Sequence, residues 1–290
     1  MKKKSRKKGS GSKLGKFFLL LLAIAGSIFY LADDIDNFEV PDIATLVSKE
    51  DIPQGKLEIP VLKKGMPSQI LEYKGYSVSY NKETRLPNWV AYELTAAEAQ
   101  GELPRKDKFR QDMQVVGAQA NKEDYKHSGW DRGHMAPAAD FKWDAEAMDQ
   151  TYYFTNICPQ NTQLNTGDWK ELEEQCRKWA TKYGKIWIAC GPIILTNEHG
   201  RLGANKVVIP DKFYKVVLAQ TGNGYQGCGF IFHNPPVRKS KISGKPPVNR
   251  PLESYAVTID EVEHITGIDF FPTLQTATQN RVEQQSAVLR

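Results

Sequence analysis

The chain has 290 residues, of which 40% are hydrophobic and 25% are charged. This composition is ordinary for a globular protein with a packed core and excludes a wholly disordered chain. The formal net charge is +5, but eight Lys and Arg residues and no acidic residue lie within residues 1–16. Without that tail, 31 of the 39 basic residues remain against 34 acidic ones, so the total charge is no evidence for a polyanion-binding surface elsewhere.

An apolar segment, residues 17–32, follows the basic tail and contains no charged residue. Its sixteen residues fall just short of the roughly 20 that cross a bilayer as an untilted helix, so a signal anchor and a cleaved signal peptide both remain open. Ala23-Ile24-Ala25 fits a small-x-small cleavage site. A mitochondrial presequence is the least favoured alternative, because such segments prefer Arg and Ser to runs of Lys. Anchor and signal peptide both predict export, with the folded domain held at the membrane or secreted, for example into a periplasm.

Residues 33–70 are interrupted by four prolines and predict a linker. A folded domain is expected over residues 71–275, followed by a C-terminal tail, residues 276–290. At its start, residues 76–80 and 88–94 alternate between apolar and polar side chains around a polar turn. That pattern predicts a β-hairpin that opens a sheet.

The rest of the domain predicts a mixture of helices and strands. The clearest helix covers residues 168–183, where apolar residues recur three and four positions apart and Gly184 stands at the expected C-terminal cap. Further predicted elements are a short helix at 141–150, strands at 152–155, 185–194, 207–209, 213–219 and 229–232, and a helix with Asp260 as N-cap. The four cysteines have no CxxC spacing, which argues against a zinc site, and both disulfide pairing and simple burial remain open.

Two motifs contain residue types that are typical of a catalytic site. Residues 131–140 read Asp-Arg-Gly-His-Met-Ala-Pro-Ala-Ala-Asp, which predicts a tight turn that presents His134. About thirty residues later come Asn-Ile-Cys-Pro-Gln at 156–160 and Leu-Asn-Thr-Gly-Asp-Trp-Lys-Glu-Leu-Glu at 164–173. Together they resemble the DNA/RNA non-specific endonucleases, which are endonuclease G-like ββα-metal nucleases. The resemblance implies an α+β fold, in which a ββα-metal core and a central, mostly antiparallel sheet are flanked by helices and preceded here by the apolar N-terminal helix.

The resemblance also assigns roles at a metal-dependent site. His134 is the candidate general base, since a neutral imidazole with an ordinary pKa near 6.5 accepts a proton from water at physiological pH. Asn165 offers a carbonyl oxygen, a hard ligand suited to Mg²⁺, and Mn²⁺ remains open. By resemblance Asn165 is the sole direct protein ligand, and Glu173 orients water around the ion.

The remaining candidates are expected to contact the phosphate. Arg132 and Arg177 are cations suited to bidentate contacts with phosphate oxygens. The family carries an arginine near the scissile phosphate in the segment before the His motif, and Arg105 and Arg110 are alternatives for it. Asn156 is a candidate substrate-binding residue, or one that orders the loop beside the metal.

Phosphate contacts carry no sequence information, so these residues predict a nuclease for both DNA and RNA with little sequence specificity. By resemblance it leaves 5′-phosphate ends. Two alternatives remain open: a membrane-tethered nucleic-acid-binding protein without hydrolytic activity, and an enzyme for a small phosphodiester. A homodimer is compatible with the sequence.

Overall fold

The computed structural model describes residues 55–105, 107–196, 200–236, 250–286 and 288–289. The basic tail, the apolar segment 17–32 and residues 33–54 of the predicted linker lie outside the described residues. Within the described ranges, no helix combines the length and the apolar character needed to cross a membrane.

The strands of the described chain are β1 (Val61–Leu62), β2 (Gln69–Glu72), β3 (Ser77–Asn81), β4 (Leu86–Thr95), β5 (Asp131–His134), β6 (Ile157–Gln160), β7 (Lys185–Ile193), β8 (Arg201–Leu202), β9 (Val207–Val208), β10 (Lys212–Thr221), β11 (Gly224–His233), β12 (Ala256–Val257) and β13 (Ile268–Asp269). Seven of them form one central sheet in the order β12-β11-β10-β7-β4-β3-β2, in which every neighbouring pair is antiparallel. The predicted mixed fold with a central antiparallel sheet is therefore confirmed.

The helices pack on both faces of this sheet. They are α1 (Lys122–Tyr125), α2 (Ala145–Gln150), α3 (Thr162–Thr166), α4 (Asp168–Tyr183), α5 (Ile259–Thr266) and α6 (Thr276–Glu283). The longest, α4, has the predicted bounds and buries Trp169, Leu172, Cys176 and Trp179 on one face. It ends at Gly184, whose φ of 81° lies in the left-handed region that favours glycine.

Alternation along β10 shows how the two faces are filled. Phe213, Val217 and Ala219 belong to the core on the α4 side, whereas Tyr214 and Val216 belong to a second core together with Ile259 of α5 and Val282 of α6. Side chains of a strand point alternately to opposite faces, so the sheet separates two apolar layers. By the same alternation Lys215 points into the α4 layer, where no charge was expected.

A small second sheet holds the His motif. Strand β5 pairs antiparallel with β6, so that Gly133 lies opposite Cys158 and His134 opposite Ile157. A Cβ atom at Gly133 would lie 2.6 Å from Cβ of Gln160, so only glycine permits this approach. Two predictions were wrong here: residues 131–134 form a strand and not a tight turn, and the segment predicted as a strand at 152–155 leads into a 3₁₀ turn, Phe154–Asn156, with the strand starting at Ile157.

The ends of the fold extend past the predicted domain limits. Strand β1 and the first two residues of β2 lie within the predicted linker, yet β1 pairs with β13, and β2 forms the edge of the central sheet beside β3. Helix α6 lies within the predicted C-terminal tail and buries Val282 against the sheet. Helix α5 has Thr258, and not Asp260, as its N-cap, because the hydroxyl of Thr258 accepts from the backbone N–H of Glu261. All four cysteines are buried and unpaired.

Candidate active site

A polar cleft of about 510 Å³ opens beside the pair of strands β5 and β6. Four cationic and three acidic side chains line it together with the amide of Asn165 and three aromatic rings. The cations are Arg105, Lys122, Lys126 and Arg132, and the acids are Asp107, Glu123 and Asp131. The two lysines come from α1 and its C-terminal cap, a segment that the sequence did not single out.

His134 lies directly behind one wall of this cleft. Its ring centroid is 5.3 Å from that of Phe109, which lines the cleft, and 5.2 Å from that of Tyr152. The side chain is 8% exposed, so the expectation of a presented, unburied histidine was wrong. Burial lowers the pKa of His134 to about 3, and the positive charges of Arg105 and Arg132 act in the same direction. The imidazole is therefore neutral at physiological pH, and its Nε2 has no hydrogen-bond partner among the described residues.

Asn165 is joined to the His-bearing strand through Asp131. Its amide nitrogen donates to Oδ2 of Asp131 over 3.0 Å, and the hydroxyl of Thr162 donates to Oδ1 over 2.9 Å. These contacts tie α3 to β5, while the indole N–H of Trp169 in α4 donates to the backbone oxygen of His134 over 3.2 Å. Because the Asn165 nitrogen is committed to Asp131, the carbonyl oxygen is the end of the amide that remains for the cleft.

Glu173 and Arg177 lie outside the cleft lining, in a charged cluster between α4 and the sheet. Arg177 donates from Nη1 to Oδ1 of the buried Asp140 over 2.7 Å, and the hydroxyl of Tyr92 donates to the other oxygen over 2.9 Å. Arg177 is thereby committed to Asp140. Burial raises the pKa of Glu173 to about 7, against the lowering effect of the Lys215 charge.

Lys215 is a component of this cluster that the sequence reasoning missed. Its side chain is fully buried, its Nζ lies 4.5 Å from the centroid of the Trp169 ring, and the nitrogen has no hydrogen-bond partner among the described residues. Placing an ammonium in the interior costs free energy unless nearby negative charge compensates for it. Glu173 and Asp140 supply that charge. The available signal was a lysine at the centre of an otherwise apolar strand, residues 213–219.

The structure separates the two arginines that the sequence left as alternatives. Arg105 lines the cleft, where its Nε donates to Asp107 over 2.6 Å. Arg110 lies outside the cleft lining, where it pairs with Asp149 over 2.6 Å and stacks 4.2 Å from the Tyr153 ring centroid. The geometry therefore favours Arg105 as the phosphate contact. Arg132 also lines the cleft, with its guanidinium 4.3 Å from the centroid of Phe109.

Asn156 occupies the interior and has no exposed surface. Its Oδ1 accepts from the backbone N–H of Ala136, and its Nδ2 donates to the carbonyls of Ala136 and Thr151, each over 2.9 Å. All amide hydrogens are used within the protein, so this geometry favours a role in holding the chain just after His134 and not a direct contact with substrate.

The cleft offers oxygen donors that fit a hard divalent ion. The carbonyl oxygen of Asn165 and the carboxylate of Asp131 lie at the same end of the cleft, joined by their hydrogen bond. Mg²⁺ prefers oxygen ligands and keeps several waters, so few protein ligands suffice. Among the described residues that line the cleft there is no sulfur or imidazole ligand of the kind that would indicate zinc.

The known proteins that this chain resembles are nucleases. The family model for DNA/RNA non-specific endonucleases matches residues 54–277. The "Nuclease EXOG, mitochondrial" of Danio rerio is 35% identical over 228 residues, which are 73% of this chain and 64% of the relative, slightly under two thirds of its length. The human "Endonuclease G, mitochondrial" is 31% identical over 226 residues, 73% of each chain. A "Nuclease" from Nostoc sp. is 33% identical over 219 residues, 72% of this chain and 76% of the relative.

A solved structure of an EndoG/EndoGI complex has the same fold. It matches with a TM-score of 0.65 and 24% sequence identity, over 82% of this chain and 95% of that chain.

Proposed function

Because the chain belongs to the DNA/RNA non-specific endonuclease family, we propose that it is a metal-dependent nuclease that hydrolyses phosphodiester bonds in both DNA and RNA. The observation that carries this proposal is the polar cleft, lined by four cations and three acids, with a neutral, buried imidazole behind its wall and the Asn165 amide oxygen in its lining. A polyanion is attracted by the cations, while the imidazole stays unprotonated beside them.

His134 acts as the general base in this proposal. A general base must be unprotonated, and the lowered pKa of His134 fulfils that condition across the physiological range, although it also makes the imidazole a weaker base than one whose pKa lies near the working pH. It takes a proton from the water that attacks phosphorus, the bond to the 3′ oxygen breaks, and the 3′ oxygen gains a proton from solvent, which leaves a 5′-phosphate end and a 3′-hydroxyl end. Two neighbouring contacts fix the backbone around the imidazole: Trp169 donates to the carbonyl of His134, and Asn156 holds Ala136.

Asn165 would hold Mg²⁺ through its carbonyl oxygen, with Mn²⁺ as the alternative ion, and Glu173 would orient water near it. When bound, such an ion supplies Lewis-acid stabilisation of the charge that develops on phosphate and leaving oxygen. Asp131 keeps the Asn165 amide in a single orientation, because it accepts from the amide nitrogen. Glu173 serves best as a carboxylate, and the Lys215 charge favours that form.

The cleft cations explain the proposed lack of sequence preference. Arg105, Arg132, Lys122 and Lys126 are suited to phosphate oxygens, which are identical at every nucleotide. Arg177 is committed to Asp140, so its proposed part is to hold α4 and the residues after His134 together.

The test uses the full chain with plasmid DNA and a structured RNA as substrates. We expect cleavage of both with Mg²⁺ and none with EDTA. His134→Ala should slow cleavage by about 10²–10⁴-fold, and Asn165→Ala should abolish the response to Mg²⁺. His264→Ala, at an exposed position on α5, is the matched control and should retain full activity. Equal cleavage before and after His134→Ala would overturn the mechanism.

The two other functions make different predictions in the same assay. A nucleic-acid-binding protein without hydrolytic activity would retard DNA in a gel but leave it intact at every metal concentration. An enzyme for small phosphodiesters would turn over a dinucleotide faster than long DNA. The presence of His134, Asn165 and Glu173 together disfavours the first alternative, since binding alone requires none of them.

Localisation and assembly are separate proposals. The basic tail and the apolar segment 17–32 support export, with the nuclease domain outside the cytoplasm and anchored or released. Membrane fractionation of cells expressing the full chain tests this, because a cytosolic pool alone would contradict it. Light scattering of the purified chain tests the homodimer.

A further inference from the structure

Three carboxylates meet on the face of the sheet opposite α4. Asp260 and Glu263 lie one turn apart on α5, and Glu283 is the last residue of α6. One carboxylate oxygen from each lies within 4.8 Å of the others. Both helices pack into the apolar layer that contains Ile259 and Val282, away from the His134 side of the sheet. This acidic cluster is therefore independent of the cleft.

No cation in the described part of the chain neutralises these charges. None of the three carboxylates forms a salt bridge there, and Asp269 adds a fourth negative charge nearby. Arg281, on the same helix as Glu283, donates instead to the backbone oxygen of Tyr225 over 3.3 Å. Burial raises the pKa of Glu263 to about 8, and the negative charges of Glu283, Asp269 and Asp260 act in the same direction.

Glu283 gives a second and independent indication of a ligand. It is 6% exposed, and its Oε1 is buried without any hydrogen-bond partner among the described residues. It also stands at the C-terminal end of a helix, where the helix dipole disfavours a negative charge. A buried carboxylate oxygen that is left without a partner is costly, so something absent from the protein chain itself is expected to contact it.

Gln279 and Glu263 both lie close enough to Glu283 to oppose the rise in its pKa that burial causes, but the hydrogens of the Gln279 amide are committed elsewhere. The Gln279 amide donates to Oδ1 of Asp269 over 2.8 Å and to the backbone oxygen of Phe270 over 3.1 Å, which uses both of its hydrogens. Oε1 of Glu263 accepts from the backbone N–H of Phe270 over 2.7 Å. These contacts hold the carboxylates in place, and because the pKa of Glu263 is about 8, the cluster carries its full negative charge only above that pH.

We propose that Asp260, Glu263 and Glu283 form a Ca²⁺ site that joins α5 to α6. Ca²⁺ accepts six to eight oxygen ligands in irregular geometry and uses carboxylates in one-oxygen or two-oxygen contacts. A set of three carboxylates at a partly exposed helix junction suits it better than Mg²⁺, which requires near-octahedral geometry. Because the site lies on the other face of the sheet from His134, its role is to stabilise the fold.

The test uses the full chain with Asn165→Ala, so that an ion in the cleft does not contribute. The melting temperature is measured at about pH 9, where the carboxylates are ionised, in EDTA, in Ca²⁺ and in Mg²⁺. Ca²⁺ at about a hundred times its Kd should raise the melting temperature by about 5 °C or more, and Mg²⁺ by less. Calorimetric titration with Ca²⁺ should give one ion per chain.

Three further substitutions decide where the ion binds. Asp260→Asn and Glu283→Gln should each remove most of the Ca²⁺ effect, and Glu283→Gln should raise the melting temperature in EDTA because it relieves repulsion. Glu261→Gln, an exposed neighbour on α5, should keep the full effect. If Glu283→Gln does not fold, the effect of Ca²⁺ on the melting temperature of Asp260→Asn decides the outcome, because Asp260 is exposed and its replacement is not expected to prevent folding. The proposal fails if Ca²⁺ up to about 10 mM leaves the melting temperature unchanged, or if the shift survives both Asp260→Asn and Glu283→Gln.

Discussion

Asn156→Ala tests whether this amide holds the chain beside the general base or contacts the substrate. The substitution removes one acceptor and two donors, and it leaves the N–H and C=O of Ala136 and the C=O of Thr151 without those partners. Each buried backbone group left unsatisfied costs about 1–3 kcal/mol. Three such groups give a loss of about 3–9 kcal/mol, a large share of the roughly 5–15 kcal/mol that stabilises a typical domain.

Urea unfolding measures the stability change, and nucleic-acid binding measures the functional role. With a slope of about 2–3 kcal/mol per molar urea, the midpoint should fall by about 1–4.5 M. At a temperature where the variant is folded, kcat should fall while the Kd for DNA stays unchanged, because Ala136 lies two residues after His134. Asn223→Ala, at an exposed turn between β10 and β11, is the control and should change neither quantity.

The result that would refute this reasoning is specific. If Asn156→Ala costs less than about 1 kcal/mol and weakens DNA binding, the amide contacts the substrate and the buried hydrogen bonds are not what it contributes. Asn156→Asp gives a second test if the Ala variant does not fold. It keeps the acceptor for the Ala136 N–H but places an oxygen against two carbonyls, so it should also destabilise the protein.

Three other predictions follow from the site. Arg105→Ala should raise KM for DNA and make the dependence of log KM on log salt less steep by about one unit, whereas Arg110→Ala should lower the melting temperature and leave KM unchanged. The pKa of His134 in the folded protein, about 3, lies below its value in the unfolded chain, so the unfolded chain binds the proton first. The free energy of unfolding should therefore fall by about 1.4 kcal/mol per pH unit as the pH drops below about 6.5. Urea unfolding of the parent chain and of His134→Ala should show this dependence on His134 only in the parent. Lys215→Met should move the acidic limb of the pH–rate profile to higher pH, because the Glu173 pKa, already about 7, loses a cation that lowers it; an unchanged limb would remove Glu173 from the mechanism.

Elements with strong local periodicity were predictable from the sequence. The helix at 168–183 was predicted to the residue, because five apolar side chains repeat along one face and a glycine ends it. Five of the seven central strands, β3, β4, β7, β10 and β11, were also predicted to within about five residues, because apolar runs ended by Gly or Asn favour strands, whereas β2 and β12 were not predicted. The pairing of β5 with β6 was not predictable, because each strand has only four residues. Strand β5 contains Gly133 and β6 contains Pro159, and local patterns associate both residue types with turns.

Contacts between distant segments were the part of the site that local patterns could not supply. The motifs identified His134, Asn165 and Arg132 as candidate site residues. No sequence pattern indicated that Arg177 pairs with Asp140, 37 positions earlier. The choice between Arg105 and Arg110 likewise depended on Asp149, 39 positions after Arg110. Such pairings follow from how the sheet and helices pack, and a single sequence does not record that packing.

Burial has opposite consequences for the two groups that the mechanism needs. It disfavours the charged form of any side chain, so it keeps the imidazole of His134 neutral, as a base requires, and it also favours the protonated form of Glu173, which then cannot act as a carboxylate. Enclosing both groups in one interior therefore supports one function and opposes the other. A positive charge near Glu173 and away from the cleft corrects the second effect without weakening the first. Lys215, buried in the α4 layer beside Glu173, is that charge, which explains why a lysine stands in the middle of an apolar strand.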